Sequence, residues 1–155
     1  MIIRNVLFAL SLTGLLLACG GPGEQADVPE AQPAEATSAD IGDYVVYFNA
    51  QSTDALTLET AQALKIRRSK DSAMLNVSVI EKASKSSVAA DVGVKAVNLT
   101  GQLKDMTMRR EDDGGAIYYI GTTSVANRET LVFDITVKPE GAAAATEVRF
   151  KRQFY

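Results

Sequence analysis

No histidine occurs among the 155 residues, and Cys19 is the only cysteine. Without imidazole the chain lacks the usual general base, the Ser-His-Asp arrangement and the commonest zinc ligand. No serine has a lysine three residues later, so a Ser-x-x-Lys nucleophile is missing as well. Paired carboxylates remain, because a glycosidase needs only two acids flanking a cleft. The 14 acids of residues 43–155 are scattered, however, and mark no such pair. Asp112, Asp113, Gly114 and Gly115, preceded by Glu111, admit two readings. A calcium loop of the EF-hand kind wants acids at alternate positions before its glycine, which this run does not supply. A hairpin turn accounts for all four residues and is preferred. The chain reads as a non-enzyme, with no catalytic residues, no metal site and no cofactor.

Binding chemistry is better represented. Lys65, Arg67, Arg68 and Lys70 form the densest basic cluster. They could dock an anionic headgroup, a cell-wall carboxylate or an acidic partner. The plainer reading is a solvated loop that complements the C-terminal dipole of a preceding helix. Gln153, outward on the last strand, marks a second candidate surface, where a partner could add a strand to an open edge. Arg109 and Arg110 are expected to pair with Glu111 and the acidic turn.

Cys19 closes a different pattern. Arg4 is followed by residues 6–18, thirteen positions without a charge, which is the length of a signal-peptide apolar region and too short to span a membrane. Leu16, Leu17 and Ala18 before Cys19 resemble the lipobox of bacterial lipoproteins, in which the thiol receives diacylglycerol and becomes the first residue of the mature chain. A cleaved secretory signal, or an uncleaved anchor, would leave a lone thiol in an oxidising compartment. The lipobox is the preferred reading, and Gly20 after the cysteine resembles the sorting pattern for the outer membrane. Residues 1–18 are thus expected to be a lipoprotein signal peptide. Cys19 would hold the protein to the outer membrane, facing the periplasm.

The elements that would carry these residues divide by composition. Residues 20–42 hold five acids and no base among Gly, Pro, Ala, Glu and Gln. Residues 19–42 are therefore expected to be a lipidated cysteine and a disordered acidic tether, averaging about 25–30 Å end to end. Residues 43–155 carry 15 Lys and Arg against 14 Asp and Glu, a balance that leaves no footprint for nucleic acid. With the cysteine used for lipid, no internal disulfide is available.

From Tyr44 the chain turns β-branched and aromatic in short blocks. The expected fold for 43–155 is all-β, an immunoglobulin- or fibronectin-III-like sandwich of about seven antiparallel strands with one short helix. Strand one, 44–49, looks apolar on both faces. Leu75, Val77 and Val79 alternate in the second. Ala90, Val92, Val94 and Ala96 alternate in the third, whose phase slips at Val97 and Leu99 as if at a bulge. Strands four and five are read at 103–111 and 116–122. The sixth sets Leu131, Phe133, Ile135 and Val137 inward, and the seventh Val148, Phe150 and Phe154. Between the first two strands, Thr57 is placed to cap a helix whose stripe would be Leu58, Ala61 and Leu64, closing one end of the sandwich. Of Tyr118 and Tyr119, which point oppositely, one belongs in the core.

Several blocks in order carry a resemblance: Gly42-Asp43-Tyr44, Arg68-Ser69-Lys70, Leu75-Asn76-Val77-Ser78-Val79, Asn98-Leu99 with Gly101-Gln102, Ile117-Tyr118-Tyr119-Ile120, Glu129-Thr130-Leu131 and the closing 150–155. They resemble a proteobacterial family of small exported proteins described as a domain of unknown function, number forty-four twenty-six, over about 42–155. The resemblance implies an exported β-sandwich and carries no activity, ligand or catalytic residue. Members of that family tend to have an ordinary signal peptide, and often a proline where this chain has Leu58.

The functional expectation is a lipid-anchored envelope interaction module, monomeric, bound to the membrane through its N-terminal lipid and to an envelope protein through a surface. A carrier of lipid or glycan would instead hold its ligand in an apolar cavity between the sheets. A carboxylate-dependent hydrolase is the third reading.

Overall fold

The computed structural model describes residues 36–155. The expected signal peptide, the lipidation of Cys19 and most of the expected tether lie outside the described residues.

Among the described residues nine strands form two antiparallel sheets. The five-stranded sheet has the order β1-β2-β3-β7-β6: β1 Ser38–Ile41, β2 Tyr44–Ser52, β3 Ser72–Glu81, β6 Arg109–Asp113 and β7 Ala116–Ser124. The four-stranded sheet has the order β5-β4-β8-β9: β4 Ala90–Asn98, β5 Leu103–Lys104, β8 Thr130–Pro139 and β9 Thr146–Gln153. A 3-10 turn, Thr53–Ala55, and one helix, α1 Leu58–Ala63, follow β2.

Period-two patterning decides what lies between the sheets. In β8 Leu131, Phe133, Ile135 and Val137 are all fully buried, each contributing about 1.5–3 kcal/mol by leaving water. Across from them stand Val46 and Phe48 of β2 and Leu75, Val77 and Val79 of β3. Phe150 of β9 bridges the layers, its ring centroid 4.7 Å from Phe48 and 4.9 Å from Phe133. Tyr119 is the core tyrosine of its pair; its hydroxyl accepts from the Ala90 N–H at 2.7 Å.

The expected seven strands become nine for two reasons. Residues 38–41, assigned above to the tether, form β1: Ala39 is buried and Gly42, at φ +60°, turns the chain so that Ile41 pairs with Tyr44. The domain therefore begins before residue 43. The single strand expected at 103–111 is two strands in different sheets, because the chain crosses between them at 105–108. Met106 and Met108 pack against the core there, over Gly121. A Cβ on Gly121 would stand 2.6 Å from the Met108 sulfur and 2.7 Å from Met106 Cγ.

Three local readings are also corrected. Only one face of β2 is covered: Val46, Phe48 and Ala50 are buried, whereas Tyr47 is 48% exposed. No bulge follows Ala96, because β4 stays in register with β8 through Asn98 paired with Leu131; Leu99 is exposed. The helix starts as expected, with Thr57 Oγ1 accepting from the Thr60 N–H at 3.1 Å. It packs, however, on the outer face of the five-stranded sheet rather than across an end of the sandwich. Ala61 is buried there with Leu56, Met74 and Ile120, while Leu58 is 62% exposed. Leu56, immediately before the cap, takes the place expected of Leu58.

Candidate functional site

The basic loop exposes its charged side chains to solvent while its backbone is tied down by hydrogen bonds. It begins with a Schellman closure of α1, in which Lys65 N–H donates to Gln62 and Ile66 N–H to Ala61. Lys65 occupies the left-handed position at φ +53°, where glycine is usual. Further along, the fully buried Thr53 hydroxyl lies 3.0 and 3.1 Å from the carbonyls of Arg67 and Ser69 and accepts from the Ser69 N–H at 2.9 Å. Arg68 donates to the Asp54 carbonyl at 2.6 Å. Lys65, Arg67 and Lys70 are exposed and make no ion pair among the described residues.

Gln153 ends β9, an edge strand of the other sheet. Its amide donates to the Arg128 carbonyl at 3.2 Å and accepts from the Tyr155 hydroxyl at 2.8 Å. Among the described residues no hydrogen bond or ion pair joins it to the basic loop, so the two candidate surfaces stay separate features.

Asp112 to Gly115 form the hairpin between β6 and β7. Gly114 and Gly115 take φ of +56° and +91°, the mirror-image turn that matches strand twist, and Asp113 pairs with Ala116. Arg109 pairs with Glu111 and Arg110 with Asp112, each at 2.7 Å. The hydrogen bond from Arg110 holds the Asp112 carboxyl below its ordinary range.

The site that sequence reasoning missed is the outer face of the five-stranded sheet. There α1 and Leu56 stand as a wall beside β2, β3, β7 and β6, and between them lies a groove of about 620 Å³. Asn49, Gln51 and Asn76 supply amides to its lining, Tyr118 an aromatic ring and Asp113 a carboxylate. Register brings the amides together: Asn49 pairs with Asn76 across β2 and β3, and Asn76 pairs with Ile120 of β7. Among the described residues no hydrogen bond satisfies the side chains of Asn49 or Gln51, and the Asn76 Oδ1 is buried without a partner. A smaller depression of about 190 Å³ shares Asn49 and Asn76 and extends the face to Tyr47 and Ser78. The sequence did hold a signal. Tyr47, Asn49 and Gln51 are successive outward positions without a charge, unlike Arg149 and Lys151 on β9.

Charge is handled differently at the edge of the four-stranded sheet. Glu129 accepts from Lys104 at 3.0 Å, from Asn98 at 2.9 Å and from the Ala126 N–H at 2.8 Å. The Lys104 and Glu129 side chains are only 12% and 11% exposed. Burial pushes the Glu129 pKa up, but these hydrogen bonds outweigh it and hold the carboxyl below its ordinary range.

Fold and groove together define an all-β protein of two antiparallel sheets with a ligand-sized, polar and aromatic recess on one outer face. Residues 38–155 match the family described as Domain of unknown function (DUF4426), and the chain belongs to that family. A crystal structure of a DUF4426 family protein from Pseudomonas aeruginosa is similar, with 32% identity, a TM-score of 0.66 and coverage of 76% of this chain and 93% of that one. No curated protein matches the chain.

Proposed function

We propose that the protein is a non-catalytic recognition module of the bacterial cell envelope, lipid-anchored through Cys19, with an immunoglobulin-like domain. The order β2-β3-β7-β6 beside β5-β4-β8-β9 supports that finer fold reading. It matches A-B-E-D beside C′-C-F-G of immunoglobulin-like sandwiches, with β1 added at one edge.

The observation that carries recognition is the groove beside α1, where a buried amide oxygen has no partner among the described residues. Such an atom costs the fold about 1–3 kcal/mol, a cost removed once the amide turns toward an external donor in the groove. The carrier alternative needs a chamber between the sheets, and that space holds Phe48, Phe133 and Phe150 in contact. The hydrolase alternative needs one carboxyl group held protonated as general acid. In the groove Glu111 is paired with Arg109 and Asp112 is held ionised by Arg110, which leaves Asp113 alone among the described residues where two free acids are needed.

Photo-crosslinking in intact cells tests this reading, with the reactive residue at Gln51, at Lys65, Lys70 and Gln153, and at Thr136 on the opposite outer face. A discrete adduct from Gln51 and none from Thr136 is expected. Equal labelling from both faces, or none from any position, would remove the recognition reading. Anchoring is tested separately: Cys19→Ser should release the protein from the membrane fraction, and retention there would overturn the lipid anchor.

A further inference from the structure

We infer that the outer face of the five-stranded sheet binds a neutral glycan chain, its pyranose rings laid across the strands from Tyr47 to Tyr118. The inference rests on the recognition reading above and adds the ligand's chemistry.

Three observations converge on it. Three amides, from Asn49, Gln51 and Asn76, share the face with the Ser78 hydroxyl and with three carboxylates at its rim. Each amide offers donors and an acceptor, the complement of a hydroxyl that both gives and takes a proton. The Asn76 Oδ1 is buried without a partner among the described residues, so turning this amide into the groove to meet a donor costs no hydrogen bond. A cationic ligand would call for free carboxylates instead. Two of the three acids on the rim are already neutralised, Glu111 by Arg109 and Asp112 by Arg110, leaving Asp113 unpaired among the described residues.

Aromatic spacing supplies the third observation. Tyr47 pairs with Ser78 across β2 and β3, and Tyr118 stands one residue from the Tyr119–Val77 pair. The two tyrosines are therefore carried on one face two strands apart, about 9.5 Å at ordinary strand spacing, roughly the length of two linked pyranose rings. Tyr47 is half exposed, and a tyrosine ring offers an apolar face beside a polar tip, suited to the C–H face of a sugar. The wall of α1 and Leu56 makes the platform a trough, giving a linear polymer a direction along which to lie.

The chain has five tyrosines and no tryptophan, so tyrosine fluorescence reports on the face without competition from indole. The mature protein, held in a detergent lacking a sugar headgroup, would be titrated with linear hexamers of N-acetylglucosamine, of β-linked glucose and of α-linked glucose, and separately with oligolysine. Saturable binding of at least one hexamer is expected. Asn76→Ala and Tyr118→Ala should each weaken it about tenfold or more, and Asp134→Ala, on the opposite face, should leave it unchanged. Asn76→Ala removes an atom that has no partner in the fold, so it keeps the test decisive should Tyr118→Ala fail to fold.

Failure of all three sugars to bind at millimolar concentration would overturn the inference, as would sugar binding that Asn76→Ala leaves intact, or binding of oligolysine alone. A protein adduct from Gln51 in cells without sugar binding would overturn the glycan and keep the recognition module. Silence in both experiments would overturn both.

Discussion

The two outer faces of the sandwich treat polar groups in opposite ways. On the four-stranded sheet, charge is answered by charge: Asp134 and Arg149 pair on the outer face across β8 and β9, while Lys104 and Asn98, on the inward side with Ala96 and Leu131, converge with the Ala126 N–H on Glu129 at the rim of the sheet. On the five-stranded sheet, amides and tyrosines stand together beside a helix, and one buried oxygen has no partner among the described residues. The first face carries its charges in the open, where an ion pair or water answers them. The second holds a buried amide oxygen with no partner among the described residues, and that difference locates the candidate site more sharply than the charge of any loop.

The contrast can be broken most severely at Glu129. Glu129→Ala strands Lys104 in a largely buried position and should destabilise the domain by about 3 kcal/mol, read from the urea midpoint. Because the folded carboxyl is held below its ordinary range, its contribution is present above that range and is lost as pH falls from there through the lower folded value. The stability gap between the parent and Glu129→Gln should therefore narrow on acidification; a gap constant with pH would mean that the ion pair is not the cause.

Gly121→Ala comes next. It drives a methyl group into Met106 and Met108, where the chain crosses between the sheets, and should cost about 1–3 kcal/mol by overpacking. An unchanged thermal midpoint would show that the crossing segment yields freely.

Asn76→Val has the opposite sign. Replacing an unsatisfied amide with a β-branched apolar side chain should raise stability by about 1 kcal/mol while removing ligand binding, a trade expected of a binding face. A loss of stability would show that the oxygen is satisfied in solution and would weaken the contrast between the faces.

Asp134→Ala should matter least. It breaks a cross-strand pair of two partly exposed side chains, worth up to about 1 kcal/mol, and should leave recognition untouched. An effect on binding would place function on the wrong face.

Much of the architecture was legible beforehand, because a strand announces itself through alternation. β8 and β9 could be assigned side chain by side chain, as could the cap at Thr57 and the Gly114-Gly115 turn. The failures have one physical source: a residue's neighbours in space are not its neighbours in sequence. Nothing local distinguishes Ala39 and Ile41 in a polar stretch from the residues before them until β2 offers an edge to pair with. Leu103 to Glu111 read as one strand because switching sheets leaves no mark except the room made by a glycine ten residues later. The basic cluster attracted attention because its charges are adjacent in the chain.

The sequence by itself determined an all-β domain, its inward-facing positions and the absence of imidazole chemistry, since periodicity and residue type are properties of the chain alone. Tertiary structure decided that α1 packs on the outer face of one sheet, and that Asn49, Gln51, Asn76 and Tyr118 share the groove beside it. Cross-strand register gathers those residues from three strands, and register is set by packing on the buried face, not by the residues it brings together on the other.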